Sequence, residues 1–376
     1  MPMENLVLNL KQLFQFLQIT ANKFMTKIKF NDLEYQFIQL QNEVKKLKNK
    51  KILITGGLGF LGFNFLNFFN YLNDKKKYNL KVEVYDVFEK NKIPKWFKKY
   101  NKKINYTKCN IVNKKKFKNV DYIIHAASIA SPTYYRKYPI ETMDANVIGL
   151  RNLLEFYKNK NVKGILYFST SEIYGDPDKK NIPTKETYRG NVSCTGPRAC
   201  YDESKRYGET LCVNFYKKWK FPVKIVRPFN NYGPGLNIND KRVIPDFSKN
   251  ILNGQDIILY SDGKPSRTFC YISDALIGYI KTLIKGTPGE PYNIGNSKPE
   301  ISMKKLADLM IEVAKKKYNY SGKLVVKKNK DKNYLVDNPN RRCPDLSKAK
   351  KELNFNPKIN LLVGLNKTLE WYKNNQ

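Results

Sequence analysis

Lys51-Ile-Leu-Ile-Thr55-Gly56-Gly-Leu-Gly59-Phe60-Leu61-Gly62 is the stretch on which the fold turns. Its first five residues form a short apolar run bounded by glycine, which reads as a buried strand. Glycines 56, 59 and 62 follow in the spacing G-x-x-G-x-x-G. They permit a tight turn and let the first N–H groups of a helix approach an anion. Phe65, Leu66, Phe69 and Leu72 then recur at helical spacing. A second strand, Val82 to Tyr85, ends at Asp86, 24 residues after Gly62. Strand, glycine turn, helix, strand and acid in that order form a dinucleotide-binding unit, in which the acid accepts hydrogen bonds from a ribose diol and repels a 2′-phosphate. The cofactor expected is therefore NAD rather than NADP. Its contacts are expected at Gly56, Gly59, Phe60, Leu61, Gly62 and Asp86.

Strand-like and helical segments go on alternating beyond this unit, which predicts an α/β fold with a doubly wound parallel sheet of the Rossmann type. Further strands are expected at Ile104 to Thr107, Tyr122 to His125, Gly164 to Ser169 and Val223 to Val226. Ligands of such sheets bind at the carboxyl ends of the strands. Asn110, Ile111, Ala126, Ala127 and Ser128 stand there and join the expected cofactor site. After about residue 232 the pattern loosens into Pro- and Gly-punctuated segments, with helices expected at Met303 to Lys317 and Leu362 to Tyr372. The expected organisation is a helical extension over 1–50, an NAD-binding domain over 51–232 and a smaller substrate lobe over 233–376, with some chain crossing back to the sheet.

Residues 1–50 contain no glycine. Leu10, Leu13, Phe14 and Leu17 form one apolar stripe, and Leu33, Phe37, Leu40, Val44 and Leu47 another, with Asn31 or Asp32 as a cap. Polar interruption argues against a membrane anchor, so this extension is expected to pack on the main body or on a partner subunit. Met25 could itself be a start.

The 376 residues carry 69 Lys+Arg against 33 Asp+Glu, a formal charge of +36. The lysines are spread in runs such as Lys75 to Lys77 and Lys114 to Lys116 rather than interleaved with aromatics, so they read as solvated charge and no nucleic-acid module is expected. A positive field still steers an anionic substrate inward. No ~20-residue apolar stretch and no signal peptide stands in the chain, so a soluble, cytoplasmic protein with no membrane partner is expected. Six cysteines without a C-x-x-C pair suggest free thiols. With a single histidine, His125, His-rich metal sites and most nucleophile–histidine pairs fall away, and no metal is expected. His125 itself reads as a structural histidine at a strand end. Acid–base work falls to Tyr, Lys or carboxylates.

Tyr201 and Lys205 supply such a pair. Four residues apart on a helix they share one face, and the lysine charge is expected to lower the tyrosine's pKa toward that of a general base.

TGGLGFLG, Asp86, HAAS at 125–128, STSEIYGD at 169–176, YDESK at 201–205 and RPFNNYGPG at 227–235 together resemble the extended short-chain dehydrogenase/reductase superfamily of nucleotide-sugar enzymes, over residues 51 to 376. Residues 128–149, 169–177 and 196–212 look most like its UDP-glucuronate decarboxylase (UDP-xylose synthase) members. The resemblance implies NAD-dependent oxidation at the sugar's C4, loss of CO2 from the 4-keto acid and return of the hydride. It implies that Thr170, Ser171, Glu172, Tyr201 and Lys205 are catalytic, Tyr201 and Lys205 also meeting the cofactor. Arg198, Asn230, Arg242, Val243, Tyr260, Arg267 and one of Arg341 and Arg342, taken as Arg342, would hold a UDP-sugar. It also implies a homodimer through the helices that follow Met143 and Tyr201. The chain departs from the pattern at Thr133, Ser204, Ser261 and Lys264-Pro265. A 4-epimerase or 4,6-dehydratase acting on another nucleotide sugar is the alternative within enzymes. A catalytically inactive basic interaction protein is the alternative outside them.

Overall fold

The computed structural model describes residues 31–100, 103–114, 116–329, 331, 333 and 335–375. The stripe from Leu10 to Leu17 and the start at Met25 lie outside the described residues. The short apolar runs become strands, the central ones buried on both faces and β3 a half-exposed edge: β1 (Lys51–Thr55), β2 (Lys81–Asp86), β3 (Ile104–Lys108), β4 (Tyr122–His125), β5 (Gly164–Phe168) and β6 (Val223–Pro228). A seventh strand, β7 (Pro291–Ile294), arrives from the C-terminal half and pairs with β6. The order is β7-β6-β5-β4-β1-β2-β3, with every pairing parallel. All the strands therefore point their carboxyl ends at one edge, and the order reverses between β1 and β4, where a crevice opens.

Asn31 caps α1 (Asp32–Gln39) by accepting from the N–H groups of Leu33 and Glu34. The single helix expected to run on to Leu47 is instead broken at Leu40 and resumes as short turns. The break buries Leu40, Val44 and Leu47 completely and turns Glu43 inward, where it pairs with Lys281 at 3.4 Å and with Lys285. This part of the extension packs on the body itself: Tyr35 donates to Asp274 at 2.5 Å and Tyr271 to Asp32 at 2.7 Å.

α2 (Phe60–Lys76) follows the glycine turn and buries Phe65, Leu66, Phe68, Phe69 and Leu72 against the sheet, each worth about 1.5–3 kcal/mol of removed apolar surface. α3 (Ala199–Trp219) carries Tyr201 and Lys205 on its buried face. α4 (Ile272–Lys285) was not legible in the sequence. It is buried on nearly every side and lies over β5 and β6 and against α1 and α2. Its polar residues Ser273, Asp274, Lys281 and Thr282 are buried along with its apolar ones, so polarity in the sequence does not mark a solvated face. Helices at Met303–Tyr318 and Leu361–Asn375 stand where they were expected. Thus residues beyond 232 supply a strand and a covering helix to the sheet as well as a lobe over its edge.

Candidate active site

The glycine turn works through two different constraints. Gly56 sits at φ +70°, and a Cβ there would come within 2.7 Å of the Ala127 backbone. Gly59 caps α2 with no side-chain hydrogen bond, so the helix's first N–H groups stay open to the cleft. Gly62 does not face the cleft. A Cβ on it would lie 2.2 Å from the Gly57 carbonyl oxygen, so it is glycine for close packing of helix on turn, and it stands apart from the cleft lining that the other expected cofactor residues form. At the end of β2, Asp86 accepts from Leu58 N–H at 2.9 Å and Val87 N–H at 2.8 Å, one per oxygen, leaving further lone pairs for a diol. Burial raises its pKa. Ser128 holds a buried hydroxyl oxygen with no partner. Open helix amides, an acid at the second strand and an unpaired hydroxyl are what a dinucleotide needs, so these residues fit NAD.

The cleft has a volume of about 1740 Å³, and every site residue read from the sequence lines it except Gly62. Thr170 stands at the start of a turn over Ser171–Tyr174 and accepts from Glu172 N–H at 3.2 Å. Tyr201 lies flat against Tyr135, ring centroids 4.9 Å apart and planes 6° apart. Sequence reasoning missed Tyr135, whose signal was its place inside the quoted 128–149 segment.

The expected effect of Lys205 on the phenol is corrected by the structure. The Lys205 ammonium donates to the Phe168 carbonyl at 2.8 Å and lies 5.7 Å from the Tyr201 ring centre. Burial pushes its own pKa down to about 7. Burial also raises Tyr201, against a lowering hydrogen bond from Thr170. Desolvation of both groups thus outweighs their mutual attraction. His125 is structural, as expected: it shares a 2.7 Å hydrogen bond with Thr55, and burial, then the Lys205 charge, hold its pKa down to about 3.

Beyond the phenol the cleft is rich in guanidinium. Arg342 grips Glu172 with both terminal nitrogens, one at 2.6 Å, and Arg198 donates to the same carboxylate. Burial would raise Glu172, but Arg198 and then Arg342 hold it ionised, at about 2. Arg267 is fixed by the carbonyls of Pro339, at 2.6 Å, and Ser266, at 2.8 Å. Burial and then the Arg342 charge lower it to about 9. Asp202 sits 3.9 Å from Arg198 and is raised to about 8, first by burial and then by Glu172. The choice between Arg341 and Arg342 is decided by the pleat. Arg342 is buried in the cleft, while Arg341 turns away to a bidentate pair with Glu300 at 2.8 Å. Asn230, at φ +39°, donates to the Thr268 carbonyl at 2.9 Å, and Arg242 pairs with Asp240.

A family model described as the NAD dependent epimerase/dehydratase family matches residues 52–295. The chain belongs to this family. Among curated relatives, UDP-glucuronic acid decarboxylase 6 of Arabidopsis thaliana is 36% identical over 335 residues, 87% of this chain and 90% of the relative. UDP-glucuronic acid decarboxylase 1 of Xenopus tropicalis is 36% identical, over 92% of this chain and 78% of its own. Among solved structures, a Bacillus cereus UDP-glucuronic acid 4-epimerase in complex with UDP-glucuronic acid and NAD superposes with a TM-score of 0.70 at 25% identity, over 86% of this chain and 99% of that one. The fold is that of an NAD-dependent extended short-chain dehydrogenase/reductase.

Proposed function

We propose that this family member converts UDP-glucuronate to UDP-xylose and CO2. The observation that carries the reading is the pair that faces the phenol in the cleft, Ser171 and an ionised Glu172. A serine hydroxyl is too weak an acid to protonate a departing hydroxide, the step a dTDP-glucose 4,6-dehydratase assigns to an aspartic acid at this place. Ser171 therefore favours a reaction without loss of water, and the arginines around Glu172 hold its carboxyl low. Decarboxylation requires no such acid. The names of the relatives support the same choice.

When bound, NAD+ supplies the hydride acceptor for C4 and a positive ring whose field favours the Tyr201 phenolate. Tyr201 takes the proton of the sugar 4-hydroxyl, oriented by Thr170. With the C4 ketone beta to the carboxylate, the C5–C6 bond breaks, CO2 leaves and its electron pair moves onto the C4 oxygen as an enolate. Protonated Lys205 and the Thr170 and Tyr201 hydroxyls are the nearby donors for that charge. A solvent proton adds at C5, and Tyr201 gives its proton back to the C4 oxygen, where the bound cofactor would return its hydride. Asn230, Arg267 and Arg342 hold the diphosphate end, a task suited to guanidinium forks, with Arg198, Arg242, Val243 and Tyr260 completing the substrate wall. On this reading β1 to β7 carry the cofactor, and the remainder of 233–376 closes over the nucleotide sugar.

Exposed Tyr138, Ile140, Met143, Ile148 and Tyr207 on the helical segments after Ser131 and on α3 support a homodimer through that face. Six unpaired cysteines support a reducing, cytoplasmic setting. Mass spectrometry of the product from UDP-glucuronate tests the reading. The expected product is lighter by one CO2, with no added NAD consumed. An epimer of unchanged mass would sink it and favour the 4-epimerase, the reading that the B. cereus fold neighbour keeps in view.

A further inference from the structure

Arg227 lies on β6 beneath the cleft, buried and assigned no role above. Its Nε and Nη2 grip Glu209 at 2.8 and 2.6 Å. Glu209 stands one helical turn beyond Lys205 on α3. Its Nη1 donates to the Tyr174 hydroxyl at 2.7 Å and to the Glu186 carbonyl at 2.8 Å. Tyr174 closes the turn that begins with Ser171 and Glu172, and its hydroxyl passes its own proton to Asn293 Oδ1 on β7 at 2.7 Å. Asn293 in turn donates to the carbonyls of Thr184 and Asp345, at 2.9 and 3.1 Å.

We propose that Arg227 and the Tyr174 hydroxyl form a positioning pair, which fixes the turn bearing Ser171 and Glu172 relative to the helix bearing Tyr201 and Lys205. The physical reason is the planar guanidinium. Its two edges point in fixed directions, so the carboxylate on α3 and the phenol of the turn are held at one mutual distance. The proposed reaction alternates between the two elements, proton and hydride transfer beside Tyr201 and CO2 loss beside Ser171 and Glu172. Displacement of one against the other therefore costs rate rather than affinity. The inference rests on the decarboxylase reading for its kinetic arm and on geometry alone for its other arm.

Tyr174→Phe removes one hydroxyl and keeps the ring packed beside Phe229, and Arg206 still holds the Ile173 carbonyl at 3.1 Å, so the variant folds. Two measurements are made. In the protein without added ligand, hydrogen exchange is followed at the Gly175 and Asn191 amides, which bond to the Glu172 and Tyr174 carbonyls. With UDP-glucuronate, kcat and KM are taken separately. The expected result is exchange about tenfold faster at both amides, kcat about tenfold lower and KM within about twofold. Arg227→Lys keeps the charge on Glu209 but loses the fork, and is expected to match Tyr174→Phe, with the double variant no worse than either. Unchanged exchange at the two amides overturns the proposal. So does a fall in kcat that tracks only the loss of folded enzyme, or effects of the two substitutions that multiply. If the wild type releases no CO2 from UDP-glucuronate, the functional reading fails and the exchange comparison still decides the positioning pair.

Discussion

Glu172 and Glu209 are both carboxylates drawn out of water and met by arginine forks, yet their surroundings end differently. Glu209 meets Arg227, whose remaining donors are taken up by Tyr174 and a carbonyl. Glu172 meets Arg198 and Arg342, with Arg267 near enough to act on its charge. Around it the Arg198 and Arg342 Nε groups and one oxygen of Asp202 make no hydrogen bond although buried. A buried unpaired donor is costly, and the two Nε groups beside the cleft are donors that the proposed reading gives to the anionic substrate. On the readings proposed above, the saturated cluster sets geometry and the unsaturated one takes ligand. Burial and charge look alike in the two places. The difference lies in what is left over.

The comparison can be broken at four points. Tyr201→Phe removes a hydroxyl that makes no side-chain hydrogen bond to either cluster; it should lower turnover by about 10³-fold or more while NAD binding, followed by fluorescence titration, persists. Retained turnover would remove the phenol from the reaction and leave the unsaturated cluster without a chemistry to serve. Arg227→Met strands Glu209 without its counter-charge and should cost about 3–5 kcal/mol of stability, measured by denaturant unfolding. A loss below 1 kcal/mol would mean that the saturated cluster is not one.

Arg342→Gln is the mirror experiment. Glu172 keeps Arg198, so thermal stability should change little, while KM for the sugar nucleotide rises about 10- to 100-fold. A large drop in Tm with unchanged KM would reverse the assignment of the two clusters. The smallest effect is expected at His125, which belongs to neither. Its folded pKa lies near 3, below the 6.5 of a free ring, so the unfolded chain binds the extra proton and stability falls as pH drops from about 6.5 toward 3. His125→Asn should flatten that acid limb by about 1–2 kcal/mol between about pH 6.5 and 5, at about 1.4 kcal/mol per pH unit, read as Tm against pH. Glu172, displaced down to about 2, loses its own contribution only below about 4.5, so between about 6.5 and 4.5 the His125 limb is read without it.

Much of the first half of the molecule was legible because its signals are local. β1 is an apolar run, Gly56 is required by its own φ, and Asp86 follows at a fixed spacing. What was not legible locally was hidden for a stated reason. Gly62 is the same residue type as Gly56 serving a packing need, and sequence does not say which side of a turn a missing Cβ faces. Tyr201 and Lys205 do share a helix face, but only the fold reveals that the ammonium gives one N–H to the Phe168 carbonyl and that both groups are desolvated. β7 is a four-residue segment opening on proline, and its pairing with β6 spans more than sixty residues. The division of Glu172's partners is likewise non-local, since Arg342 comes from the far end of the chain.

That late strand sets the order in which the protein can be made. A ribosome releases β6 long before Pro291–Ile294 emerges, and until then β6 is a bare edge whose backbone N–H and C=O groups can pair with a neighbouring nascent chain. A gene cut after residue 232 would stop synthesis in that condition and should yield aggregates rather than a small cofactor-binding protein.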